Sequence, residues 1–118
     1  MTQQNLTVLR DTIRDFAKAR DWEQFHSPKN LVMALSVETA ELMEHFQWLT
    51  EEKSLHIDVK TKTEVGQEIA DVLIYLTRLA DVLDIDPLQA AFDKIQINAV
   101  KYPVEKSRGN NTKYDQLE

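Results

Sequence analysis

Cysteine is absent from this 118-residue chain, so neither a disulfide nor a thiolate metal site can form. Glycine occurs twice and proline three times. That is too little turn chemistry for a meander of short strands, and too little glycine for a loop that cradles phosphate with backbone N–H groups. No apolar run reaches the ~18 residues that cross a bilayer. Bases are scarce as well, 14 against 20 acids, for a formal charge of −6. This balance disfavours the non-specific grip on a phosphate backbone that basic proteins use. Neither a nucleic acid nor a membrane is therefore an expected partner. The N-terminus lacks the basic and apolar parts of a signal peptide, and the expectation is a soluble cytoplasmic protein with one modest core.

What is present is helical periodicity. Leu6, Leu9, Ile13, Phe16 and Ala17 recur at helical spacing and define an amphipathic first helix ending near Arg20. Ser27 followed by Pro28 reads as an N-cap and first helical residue, opening a second helix to about Trp48. The stretch from Thr50 to Asp58 is polar and weakly periodic, a connecting loop with room for one helical turn. Thr61 and Glu64 have capping-box spacing and introduce a third helix to about Leu83. Asp86-Pro87 repeats the cap-then-proline signal before a fourth helix that Pro103 stops near Tyr102. Residues 1–103 thus form a helical domain, and the polar residues 104–118 read as a disordered tail.

The second and third helices carry acids where apolar residues belong. At ~100° per residue, Leu31, Leu35, Leu42, Phe46 and Leu49 all fall within about 80° of Glu38, with Glu41 about 60° to the other side. Glu68 repeats the arrangement among Val72, Leu76, Leu79 and Leu83, with Asp71 in the place of Glu41. Asp81 with Asp84 has the same i, i+3 spacing but points away from the stripe, and reads as a solvated pair. Ion pairing on a more exposed face is the competing account for the four stripe acids. Against it, like charges beside a low-dielectric core cost several kcal/mol without a cation, and few bases lie on these faces. Oxygen-only ligands favour Mg²⁺, with Mn²⁺ as substitute, over zinc. Such an ion commonly keeps positions for phosphate oxygens, which points to phosphate chemistry.

A nucleotide would also need aromatic faces and cations. Trp22, Phe25 and His26 fall in the break before the second helix, and Trp48 ends that helix. Lys94, Asn98 and Lys101 share one side of the fourth helix. Core packing for the aromatics and a solvated stripe for the lysines are the plain alternatives.

At these residues the sequence resembles the MazG-like family of all-α nucleoside triphosphate pyrophosphohydrolases, in particular its dCTP-pyrophosphatase branch. The likeness is carried by Glu38-Thr-Ala-Glu41 and Glu68-Ile-Ala-Asp71, by Arg20 to Leu31, and by Lys94 to Pro103. It implies a four-helix bundle completed by dimerisation, as a dimer or dimer-of-dimers. It further implies that Glu38, Glu41, Glu68 and Asp71 bind Mg²⁺ for hydrolysis of the α,β-phosphoanhydride of a pyrimidine deoxynucleoside triphosphate. His26, Trp22 and Trp48 match positions around the base, Tyr75 and Asn98 positions near sugar and phosphate, and Lys94, Lys101 and Tyr102 weaker ones. Two other classes compete. A di-iron carboxylate bundle needs Glu-x-x-His on two helices, which these sites lack. A non-enzymatic helical dimer would bind a protein partner through an apolar groove and use its carboxylates structurally.

Overall fold

The computed structural model describes residues 3–118, and every regular element among them is helical. They form two compact units, Met1–Ile85 and Asp86–Glu118. The first contains α1 (Leu6–Ala19), α2 (Pro28–Glu44), a single turn α3 (Glu51–Ser54) and α4 (Val59–Val82), with a 3₁₀ turn at Glu23–Phe25. The second contains α5 (Pro87–Lys101), a single turn α6 (Val104–Ser107) and a 3₁₀ turn at Tyr114–Gln116.

Side-chain caps start the helices. Asn5, Ser27, Thr50, Asp58 and Asp86 each accept a hydrogen bond from the backbone N–H three residues on. This satisfies donors that a helix start leaves free. Pro28 and Pro87 occupy first positions where no N–H is missed. The third helix of the sequence reading therefore begins earlier than the Thr61–Glu64 spacing suggests, because the Asp58 carboxylate takes the Thr61 N–H at 2.7 Å.

Two helices make the left-handed closure that glycine usually supplies without having a glycine there. After α1, Asp21 N–H donates to Lys18 O and Trp22 N–H to Ala17 O; after α4, Asp84 N–H donates to Asp81 O and Ile85 N–H to Ala80 O. This is the paired 5→2 and 6→1 closure that needs a left-handed residue just past the helix. Asp21 and Asp84 fill that place, each at φ 54°. Aspartate tolerates this conformation better than most residues, which is how a chain with two glycines turns twice so tightly.

In the first unit α2 lies along α4, and α1 packs on α4 as well. Ala17, Leu31, Val65 and Ala80 form the buried centre, with Leu35, Leu42, Val72 and Leu79 half-buried around it. Burial on α4 is not confined to the expected stripe. Thr77 and Arg78 are buried while Leu76 and Leu83 are exposed, since α4 is covered from two sides, by α2 and by α1. On α2, Val32, Met33, Val37 and Met43 remain exposed.

In the second unit the segment after Pro103 departs from the expected disordered tail. Tyr114 meets Tyr102 edge-on at 6.2 Å between centroids, and Lys101 Nζ stands 4.8 Å from the Tyr114 ring centre. Gly109, at φ 79°, supplies the left-handed turn that α6 needs to end. An aromatic pair and a cation over a ring hold what composition alone reads as solvated.

Candidate metal centre and nucleotide site

The packing of α2 along α4 brings the two acid pairs of the sequence into one place. One carboxylate oxygen from each of Glu38, Glu41 and Glu68 lies within 4.8 Å of the others. All three residues are half-buried, and Glu38 Oε2 and Glu68 Oε2 are shut off from solvent with no hydrogen-bond partner. Among the described residues no lysine or arginine pairs with any of them. Burial pushes the Glu38 carboxyl up to about 7, helped by the neighbouring Glu41 carboxylate and then by Asp71 and Glu68. Glu68 is raised by burial and by Glu41, with His45 acting in the opposite sense.

Such a trio either keeps a proton at neutral pH or takes a cation. Two orphaned buried oxygens, three converging carboxylates and no sulfur or nitrogen donor fit a hard divalent ion. Asp71 is half-buried on α4 and its field reaches both Glu38 and Glu68, although its oxygens lie outside the 4.8 Å group.

The remaining sequence candidates divide. Tyr75 stands one turn beyond Asp71, half-buried. Trp48, in the turns that follow α2, is 88% exposed and leaves its ring unpacked. Trp22 sets its ring edge-on to Phe16 at 5.7 Å. His26 is tied to α4 by Arg78, whose Nε donates to its Nδ1 at 3.0 Å. Lys94, Asn98, Lys101 and Tyr102 belong to the second unit; Lys94 and Asn98 are exposed, Lys101 and Tyr102 half-buried.

Two features escaped the sequence reading. A cleft of about 720 Å³ opens beside α3, lined among others by His45, Lys53, His56 and Asp58. Most of its lining comes from the aperiodic stretch Thr50 to Asp58, where no pattern could nominate it. Asp81, read as solvated, is instead 10% exposed at its side chain and bound by Arg14 and Arg78.

Helices that supply ExxE and ExxD pairs to one acidic centre define the class. The chain belongs to the MazG-like family, whose profile matches residues 33–117. It is 43% identical to dCTP pyrophosphatase 1 of Mus musculus over 114 residues, 95% of this chain and 67% of that protein. Against dCTP pyrophosphatase 1 of Homo sapiens the identity is 40% over the same shares. The crystal structure of a pyrophosphatase from Archaeoglobus fulgidus superposes with a TM-score of 0.80 at 41% identity, covering 87% of this chain and 96% of that one.

Proposed function

We propose that the chain hydrolyses a deoxynucleoside triphosphate between its α- and β-phosphates, with dCTP and related pyrimidine nucleotides as substrates and cleansing of the nucleotide pool as its role. Water adds to the α-phosphorus, pyrophosphate leaves, and the nucleoside monophosphate remains. The observation that carries this reading is the convergence of Glu38, Glu41 and Glu68, two of them with a buried, unpartnered oxygen. The likeness to dCTP pyrophosphatases over 95% of the chain supports the substrate class.

Glu38, Glu41, Glu68 and Asp71 are the residues that would hold Mg²⁺, or Mn²⁺ in its place. A bound ion would neutralise the cluster and polarise a phosphoryl oxygen. The unpacked Trp48 ring, with Trp22 and His26 in the segment before α2, offers stacking and hydrogen bonding to a base. Tyr75 and Asn98 serve sugar and phosphate, while Lys94, Lys101 and Tyr102 serve the polyphosphate. With no glycine loop in the sequence, charge from helix-borne side chains has to do that work.

Residues 1–103 act as the catalytic domain and 104–118 as its tail. The working unit is a homodimer or dimer of dimers in the cytoplasm. Val32, Met33, Val37 and Met43 expose 46–58% of their surface along α2, and so apolar a strip on one helix is what a second copy would cover.

The test is a panel of nucleoside triphosphates incubated with Mg²⁺ and followed by phosphorus NMR. Pyrophosphate with a deoxycytidine monophosphate product is the expected result. Orthophosphate without pyrophosphate would contradict the bond assigned.

A further inference from the structure

Arg78 is the one buried charged residue among the described residues, at 8% exposure. Its guanidinium is held at two points. Nε donates to His26 Nδ1 at 3.0 Å, and Nη1 donates to Asp81 Oδ2 at 3.2 Å. Asp81 is gripped in turn by Arg14 of α1, whose Nε and Nη2 donate to its two carboxylate oxygens at 3.0 and 2.5 Å. A relay Arg14–Asp81–Arg78–His26 therefore runs from α1 over α4 to the segment that precedes α2.

The relay fixes the state of its last member. A guanidinium stays protonated and only donates, so His26 Nδ1 has to present a lone pair to it. An imidazole that accepts at Nδ1 is neutral and carries its single proton on Nε2. An imidazolium would face N–H against N–H and set two cations in contact. The surroundings act in the same direction, since burial and the Arg78 charge lower the affinity of His26 for a proton, with only Glu23 opposing. The Asn30 side chain donates to Phe25 O at 3.0 Å and steadies the turn next to His26.

We infer that Arg78, anchored by Asp81 and Arg14, is a positioning residue that keeps His26 as a fixed Nε2–H donor to an acceptor atom of the nucleobase. The nucleobase half of this inference rests on the place given to His26 under the proposed function. A donor that cannot switch favours a base showing a lone pair at that point, such as the O2 or N3 of cytosine, and disfavours one showing an N–H. Polar mismatches in desolvated sites discriminate more strongly than small differences in apolar bulk.

The test has two arms. In the first, long-range ¹H–¹⁵N NMR on the free wild-type protein at pH 7.5 reads the tautomer of His26 without any substrate. A proton on Nε2 and none on Nδ1 is expected; a proton on Nδ1 overturns the inference. In the second, KM and kcat for dCTP are measured for Arg78→Met, His26→Ala and the double variant. Arg78→Met is expected to raise KM about tenfold, the worth of the one neutral hydrogen bond from His26 to the base that it positions, with kcat little changed. In the His26→Ala background the same change is expected to add nothing, whereas a purely structural Arg78 would harm both backgrounds alike and overturn the positioning role. An unchanged KM in His26→Ala would remove the nucleobase half and the place of His26 in the substrate site. The tautomer measured in the first arm would still stand or fall by itself, and loss of all hydrolysis in the wild type would refute the proposed function instead.

Discussion

Glu38 on α2 and Glu68 on α4 each keep one carboxylate oxygen out of solvent with no hydrogen-bond partner, and one carboxylate oxygen of each lies within 4.8 Å of the other and of one from Glu41. Two helices are thus held together across a point of like charge, an arrangement that favours folding only when a proton or a cation sits between them.

Glu38→Gln is accordingly expected to stabilise the metal-free protein. The Glu38 carboxyl titrates near 7 in the fold against an ordinary 4.5, so the folded state binds more protons than the unfolded state between those values. Wild-type stability therefore falls as pH rises through that window, and the neutral amide does not follow it. Thermal melts in a chelator should show the variant's advantage as small below pH 4.5 and largest above pH 7. An advantage that shrinks with rising pH would contradict the assignment.

Mg²⁺ should raise the melting temperature of the wild-type protein, and more at pH 8 than at pH 5.5. Protons and cations compete for the same oxygens, and the ion's contribution grows as RT ln(1 + [L]/Kd). Glu41→Gln and Asp71→Asn should both reduce the shift while remaining folded. A full Mg²⁺ response in Asp71→Asn would limit the ligand set to the three glutamates.

Asp81→Ala should be the costly surface-distant change in α1–α4 packing. It leaves the buried Arg78 without its carboxylate, and a loss of about 2 kcal/mol is expected from chemical denaturation. Asp11→Ala, which removes an exposed pair with Arg10 and Arg14, should stay within about 0.5 kcal/mol. Arg14 chiefly holds the Asp81 carboxyl below its usual range. Its contribution is therefore complete above pH 3.8 and disappears as pH falls through the lowered value, and the gap between wild type and Asp81→Ala should close with it.

Asp84→Gly should stabilise the end of α4 by about 0.5 kcal/mol, because Asp84 sits at φ 54° where glycine carries no Cβ penalty. Asp84→Val should cost about 1 kcal/mol or more at the same place. Denaturant melts of the two variants give the comparison, and equal stabilities would contradict the strained-turn reading.

Local signals made much of this structure legible in the sequence. Ser27-Pro28 and Asp86-Pro87 mark helix starts because a cap and a proline act within one turn. Wheel position nominates Glu38, Glu41, Glu68 and Asp71, and the packing of α2 along α4 brings the three glutamates together. Long-range partners were not legible. Asp81 looked solvated since its partner Arg14 lies 67 residues away, and a wheel for one helix carries no information about a second helix on its back. The same blindness hid Arg78 and its bond to His26, 52 residues apart. After Pro103 the contacts of Tyr114 with Tyr102 and Lys101 are equally invisible to periodicity.

The central claim is that the acid cluster performs the hydrolysis. It is tested most directly by following dCTP and Mg²⁺ by phosphorus NMR with wild type and Glu68→Gln side by side, after metal-free thermal melts show that both are folded. Pyrophosphate and dCMP from the wild type, with turnover in Glu68→Gln reduced by about a hundredfold or more, is the predicted result. Undiminished pyrophosphate release from folded Glu68→Gln would contradict it.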